Sequence, residues 1–348
     1  PSIEEGGVEK NLINITNLLS KNFQINLVTA NKNKSKYFNK DIKFISPNND
    51  FFNTKNRSLK ILICLYLLIT QCKSYTLIFS FQANITAIII AKFLKKKIII
   101  RSNSSPNFYA KNFIKRFFMK RLFKFADKVI VNSLDFKKEF IKYFNIKPIV
   151  IYNSIENEDY LLKNYNKKVN FNFFDNSNDS LKILSIGRLV DQKDHLIILK
   201  ALNLIKFKKN IKFCLIGKGY LKDDITDYIN ANNLESQVKI VGYKENVYPY
   251  YKKADLFILS SKYEGLPNTL IEALTFGLNI ISTDCKTGPK EILKNGKFGK
   301  LFKVGDYKKL SELILFSKKR NKSKIFKDFR FNQKTNILKY KKILQEIK

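Results

Sequence analysis

The sequence predicts an α/β protein made of two doubly wound, parallel-sheet domains. Three observations predict it. Short apolar runs of strand length alternate with amphipathic stretches of helical period along most of the chain, the pattern of βαβ units. Glycine divides the chain: after Gly6 and Gly7 the next glycine is Gly187, and the others all follow it. A polar, Asn/Asp-rich stretch without clear periodicity, Asn153–Ser180, separates the halves. At 348 residues the chain has the length of two ordinary domains.

In the first half, strands are predicted at 24–29, 76–79, 97–100, 128–131 and 149–152, with helices at 11–20, 61–71, 85–93, 113–125 and 137–144. In the second half, strands are predicted at 182–186, 212–216, 238–241, 256–260 and 279–283. Helices follow most of them, at 195–206, 221–232, 267–276 and 289–294. The expected division is residues 1–160 as a first Rossmann-like domain, 161–180 as a linker, 181–324 as a second Rossmann-like domain, and 325–348 as a C-terminal helix crossing back to the first. Ligands of such sheets bind outside the carboxyl ends of the strands, so the expected site is a cleft where the domains face each other. No internal repeat is visible.

Composition excludes several classes of function. Hydrophobic residues make up 45%, which excludes a disordered chain. Four cysteines occur without a C-x-x-C pair. That excludes a disulfide scaffold and a thiolate zinc site, and fits a reducing compartment. The single histidine, His195, excludes a His-rich metal centre and argues against a Ser-His-Asp triad. The longest apolar run, Ile61–Thr70, falls short of the roughly 20 residues that span a bilayer. Acidic Glu4 and Glu5 after Pro1 argue against a signal peptide, and the lack of an initiator Met leads us to expect a native start upstream.

The net charge is +36, from 65 Lys and Arg against 29 Asp and Glu. Lys far outnumbers Arg, and Asn, Ile and Phe are abundant, all residues with A/T-rich codons. A biased genome accounts for much of the charge; attraction to an anionic surface is the other reading.

Three constellations could carry chemistry. In SIGRLVDQKD (Ser185–Asp194) a strand ends at Gly187, and Arg188 and Lys193 follow on a loop. Two cations there suit a diphosphate, or simply face solvent on a turn. In LIGKGYL (Leu215–Leu221), Gly217 and Gly219 lie between strand and helix; a tight turn and a weak echo of a dinucleotide fingerprint both fit. In SSKYEGLPNTLIEALTFG (Ser260–Gly277), a strand delivers Glu264 on a glycine-containing loop. Pro267 then opens a helix bearing Glu272. Two carboxylates beside a helix N-terminus, itself an anion site, point to binding of hydroxyls or to stabilising positive charge.

E-x7-E between a strand and a helix resembles the signature of the GT-B fold retaining glycosyltransferases of family 4. The resemblance extends over nearly the whole chain through GGVEK (6–10), GRLVDQK (187–193), GKG (217–219), GYKENV (242–247), EGLPNTLIEA (264–273) and ISTDCKTGPKEIL (281–293). SFQAN (80–84) and IIIRSNSSP (98–106) resemble the subgroup that acts on lipid-linked oligosaccharides and surface polysaccharides. The resemblance implies that Arg188 and Lys193 hold the donor diphosphate, next to Gly187, in place of a metal. No D-x-D occurs, in accord with metal-free chemistry. It implies that Glu264 meets the transferred sugar, that Gly265, Leu266, Pro267 and Asn268 present backbone to sugar and phosphates, and that Glu272 binds the ribose. Tyr243 and Gly217 would border the nucleotide, and Gly7 would approach it from the other domain.

Two departures stand out. The histidine many members carry in the first domain has no counterpart here; its place is either empty or filled otherwise, around Gln82. The family's first strand, which precedes the Gly6–Gly7 loop, is also missing from the sequence. The expected activity is transfer of a hexosyl or N-acetylhexosaminyl group from a nucleoside diphosphate sugar, UDP-linked, to a lipid-linked or polysaccharide acceptor, with no cofactor. Another GT-B enzyme, such as a sugar-nucleotide epimerase, and a basic nucleic-acid-binding protein are the alternatives. The expected location is the cytoplasm, at the inner membrane's cytoplasmic face. Residues 112–128, where Phe113, Phe117, Met119 and Phe123 interleave with Lys and Arg, either meet an anionic membrane surface or pack on the sheet.

Overall fold

The structure is a computed structural model. It describes residues 2–347 except 4–5, 32–34, 48–55, 72–73, 76, 109–111, 157, 176–178 and 321–325. Pro1, Glu4, Glu5, Thr76 and Ile325, which the readings above include, therefore lie outside the described residues.

The chain forms two compact units, residues 1–154 with 333–348, and residues 155–332. The first unit runs α1 (Gly7–Leu19), β1 (Asn26–Val28), β2 (Lys43–Ile45), α2 (Arg57–Gln71), β3 (Leu77–Ser80), α3 (Asn84–Phe93), β4 (Lys97–Ser102), α4 (Phe113–Lys124), β5 (Lys128–Val131), α5 (Leu134–Phe144) and β6 (Ile149–Val150). Strands β3-β4-β5-β6 form one parallel sheet in that order, and β1-β2 pair separately in parallel.

Successive residues of a strand face opposite sides, so a sheet buried on both faces reads as a continuous apolar run. KIIIRS of β4 is such a run. Ile98 and Ile100 pack with α3, α4 and α5 through Ile88, Phe123 and Phe140. Ile99, between them, packs on the other face with Ile15 and Leu19 of α1.

The second unit runs α6 (Glu158–Tyr165), β7 (Leu181–Ile186), α7 (His195–Ile205), β8 (Ile211–Ile216), α8 (Lys222–Ala231), β9 (Val238–Gly242), α9 (Tyr248–Lys253), β10 (Leu256–Leu259), α10 (Asn268–Thr275), β11 (Asn279–Thr283), α11 (Pro289–Ile292), β12 (Lys300–Phe302) and α12 (Tyr307–Leu315). Its parallel sheet has the order β12-β11-β10-β7-β8-β9. From β7 the chain moves outward through β8 and β9. It then returns to the other side of β7 with β10 and continues outward again. The order thus reverses between β7 and β10, and such a switch point opens a crevice at the strands' carboxyl ends. The last helix, α13 (Gln333–Ile347), rejoins the first unit, where Tyr340, Ile343 and Leu344 pack with Ile99 and Ile130.

Residues 161–180 are not an open linker. They hold the end of α6 and bury Leu161, Phe171 and Phe174. Tyr165 stacks on Phe276 with ring centroids 4.8 Å apart, and Phe171 meets Tyr250 edge-on at 5.1 Å. Aromatic burial against distant residues, absent from any local periodicity, orders this stretch. β2, β12, α9 and α12 were likewise not expected; β2, β12 and α9 are short, whereas YKKLSELIL of α12 carries a helical apolar pattern that the reading of the sequence passed over.

Candidate active site

The loops after β7 and β10 meet at the switch point. Lys193 Nζ lies 2.5 Å from Glu264 Oε1, and both side chains are largely buried. Ser261 Oγ donates to the same carboxylate oxygen at 2.6 Å. The two loops are tied elsewhere too. Ser260 Oγ donates to the Lys193 carbonyl at 2.7 Å, Lys262 N to the Gln192 carbonyl at 2.9 Å, and Gln192 Nε2 to the Tyr263 carbonyl at 2.9 Å. Arg188, on the same loop as Lys193, is exposed, and its guanidinium donates to Gln192 Oε1 at 3.2 Å. The Lys193 position is thus rigidly referenced to Glu264, whereas Arg188 retains freedom to turn.

Glycines let neighbouring loops press together. A Cβ on Gly217 would sit 1.8 Å from the Gly187 carbonyl oxygen, and one on Gly219 would sit 2.1 Å from that of Leu189. Neither glycine has a left-handed φ. Their role is therefore close backbone approach; Gly219 also opens a turn, its carbonyl accepting from Lys222 N at 3.3 Å, but that turn does not use the left-handed freedom of glycine. Gly217 N donates to the Gly242 carbonyl at 3.0 Å, which brings Tyr243 beside this cluster. Tyr243 is exposed, and Lys218 Nζ stands 5.0 Å from its ring centroid.

After Glu264 the chain passes through Gly265, buried Leu266 and buried Pro267 into α10. Pro267 is the N-cap of α10, one position earlier than its expected place in the first turn, and Asn268 is the first helical residue. Proline has no side-chain acceptor, so it leaves the capping of α10 to other groups. Thr287 Oγ1 donates to the Glu264 carbonyl. Gly288, with φ +90°, packs against Gly265, where any side chain would collide with the Gly265 oxygen at 2.4 Å.

Glu272 lies in the second turn of α10 and is buried. The Tyr251 hydroxyl lies 3.1 Å from Glu272 Oε2 and 3.1 Å from the Thr269 carbonyl. Burial, reinforced by the Glu272 charge, pushes the Tyr251 phenol well above its usual range, so it stays a donor.

His195 opens α7 and is buried, its Nδ1 3.5 Å from Ser185 Oγ. Burial, with Lys193 nearby, holds the imidazole down to about 3. Cys285 is also buried, and burial raises its thiol to about 12. Asp223 and Asp224 are exposed in the first turn of α8. In the first unit, Gly7 is the exposed first residue of α1, and Gln82 Nε2 donates to Glu9 Oε1 at 2.8 Å. Sequence reasoning missed Ser261, Thr287, Gln192 and Tyr251. The first three lie inside quoted motifs, but Tyr251 carries no local signal.

Residues 166–329 match the family model Glycosyl transferases group 1, and residues 5–159 match the model Glycosyltransferase Family 4. The chain is a glycosyltransferase of the GT-B fold. An N-acetylgalactosamine-N,N'-diacetylbacillosaminyl-diphospho-undecaprenol 4-alpha-N-acetylgalactosaminyltransferase of Campylobacter jejuni is 27% identical to this glycosyltransferase over 317 residues, covering 87% of this chain and 84% of the relative. An uncharacterized glycosyltransferase of Methanocaldococcus jannaschii is 36% identical over 178 residues, 50% of this chain, and the match spans only 44% of that relative. The solved structure of Anabaena HepE in complex with UDP aligns with TM-score 0.76 at 17% identity, covering 99% of this chain and 98% of its own. That last likeness is one of fold.

Proposed function

We propose that this glycosyltransferase moves a hexosyl or N-acetylhexosaminyl group, with retention of configuration, from a UDP-linked donor to a lipid-linked or polysaccharide acceptor of the cell envelope. The Lys193–Glu264 pair at the switch point carries the reading. An ammonium has three N–H donors, so Lys193 can keep Glu264 and still take a diphosphate oxygen. Arg188 adds a second cation whose planar fork suits phosphate. Gly265, Leu266 and Asn268 bring backbone N–H groups to the amino end of α10, where a helix favours anions, and Pro267, which has no N–H, fixes the turn that leads into it. Glu272 is assigned to the ribose hydroxyls, and Tyr243 with Lys218 to the base.

In the reaction, the bond from the anomeric carbon to the diphosphate oxygen breaks. Negative charge grows on the diphosphate and is stabilised by Arg188 and Lys193; positive charge grows on the sugar and is stabilised by Glu264. The acceptor hydroxyl attacks the same face, and its proton passes to a diphosphate oxygen. The two cations and the absence of D-x-D support a reaction that needs neither metal nor cofactor. The names of the relatives support the substrate classes: one transfers N-acetylgalactosamine onto a diphospho-undecaprenol saccharide, and one binds UDP. The enzyme would work at the cytoplasmic membrane face, reaching anionic lipid through residues 112–128.

The test is incubation with a panel of nucleotide sugars and a polyprenyl-diphosphate acceptor, with product anomers read by NMR. Retained configuration, full activity in EDTA, and at least about tenfold weaker UDP binding in Arg188→Ala are expected. Inverted product or strict dependence on a divalent cation overturns the reading.

A further inference from the structure

Between Phe51 and Ala126 the sequence holds fifteen Lys and Arg and no Asp or Glu. That stretch supplies α2, α3 and α4, which lie side by side. α3 and α4, with α5, cover one face of the β3–β6 sheet, and α2 packs next to α3. Their inner sides are ordinary core: Leu67, Ala91 and Phe123 are almost fully buried. Their outer sides are not ordinary. A helix on a globular domain normally turns charge to water there. Here Leu62 and Tyr66 of α2, Phe93 of α3, and Phe113, Phe117 and Phe118 of α4 are all exposed, Phe113 at 81% and Phe93 at 74%.

The exposed rings alternate with cations held in place. The Arg121 guanidinium lies 4.7 Å from the Phe117 centroid. Arg116 donates to the carbonyls of Tyr143 and Lys142 at 3.1 and 3.3 Å. The sequence reading of α4 is thereby divided: Met119 and Phe123 face the core, whereas Phe113 and Phe117 face outward.

We infer that α2, α3 and α4 together form one docking face for an anionic lipid bilayer. The inference rests on the membrane reading of residues 112–128 and widens it to three helices. Charge of a single sign matches anionic headgroups. Rings and aliphatic tips interrupted by Lys and Arg suit the headgroup boundary, where basic side chains extend toward phosphates while apolar tips enter the acyl region. A nucleic acid would use the charge but give Leu62 and Phe93 nothing to bury into. Among the described residues no helix is long and apolar enough to cross a membrane, so such a face would attach the chain from one side.

The test is co-sedimentation with phosphatidylcholine vesicles, with and without phosphatidylglycerol, in the absence of donor and acceptor. The full chain is compared with two variants, Phe113→Ser/Phe117→Ser/Phe118→Ser and Leu62→Ser/Tyr66→Ser/Phe93→Ser. All six side chains are exposed, so both variants should keep the parent melting temperature. The full chain should sediment only with phosphatidylglycerol vesicles and be released by salt, and each variant should partition about tenfold more weakly. If only the α4 variant loses binding, the three-helix face is wrong and the reading of residues 112–128 stands. If the full chain ignores phosphatidylglycerol, or neither variant changes, both are wrong. Release by duplex DNA at equal salt, with both variants unaffected, would show a nucleic-acid surface instead.

Discussion

Glu264 and Glu272 lie eight residues apart in the sequence but are held in different ways. Glu264 is paired with Lys193 and Ser261, next to the place assigned to the sugar. Glu272 is buried in α10 and held by Tyr251. The two should therefore fail differently. Glu264→Gln should depress kcat with a smaller effect on KM, because its charge matters most as positive charge appears on the sugar. Glu272→Gln should chiefly raise the donor KM, since ribose contacts are shared by ground and transition states. Steady-state kinetics with melting temperatures checks both; a Glu264→Gln enzyme with parental kcat and only an earlier melt would remove its catalytic role. His195 gives a pH dependence. Unfolded, it takes a proton near its ordinary value of about 6.5; folded, burial holds it down to about 3. The folded state thus binds fewer protons in that window. Its contribution is fully present above about pH 6.5 and is lost as pH falls toward 3. From about pH 7 to about pH 5 the loss should be about 2 kcal/mol, and His195→Asn should abolish most of it in urea titrations at the two pH values.

At the scale of elements, the site depends on loops that pack backbone against backbone. The loop after β8 can lie against the loop after β7 only because Gly217 and Gly219 lack side chains. Gly217→Ala should cost about 3 kcal/mol or more, since the colliding atom is a main-chain carbonyl that cannot swing away. Gly305 makes the contrast. It has φ +86° and open space around its Cβ position, so Gly305→Ala should cost only about 1–2 kcal/mol of backbone strain. Thermal melts of the two variants measure the difference, and UDP binding should suffer only in Gly217→Ala. Equal melting temperatures would contradict the packing argument.

At the scale of the whole molecule, the first unit is completed by the last helix in the chain. Tyr340, Ile343, Leu344 and Ile347 of α13 are buried with Ile99 and Ile130. Tyr340 also accepts a hydrogen bond at 2.8 Å from Arg101, a fully buried guanidinium that donates as well to the neutral side chains of Asn103 and Asn153. Four buried apolar side chains contribute roughly 1.5–3 kcal/mol each, comparable in sum to the whole stability of a typical domain. Ending the chain at Asn332 should therefore unfold the first unit, while residues 155–332 still melt cooperatively. Calorimetry would show the loss of one transition with the other retained. Loss of both, or of neither, would contradict this assignment of α13.

The amino-acid sequence by itself determined the class of fold, most strands of the two larger sheets and the motifs of the candidate site. The reason is physical: strands buried on both faces must be continuous apolar runs, and loops that approach closely must carry glycine. KIIIRS, IKFCLI and GKG announce themselves locally. Charge composition showed that the surface is basic but not where an apolar face survives beside the charge. Only tertiary structure decided that residues 161–180 fold onto Tyr250 and Phe276, that Lys193 meets Glu264, and that Tyr251 holds Glu272. It also decided which aromatics of α4 enter the core and which stay in water. Each of these depends on partners tens of residues away, brought together by strand order and helix packing, and no spacing within a single segment can encode them.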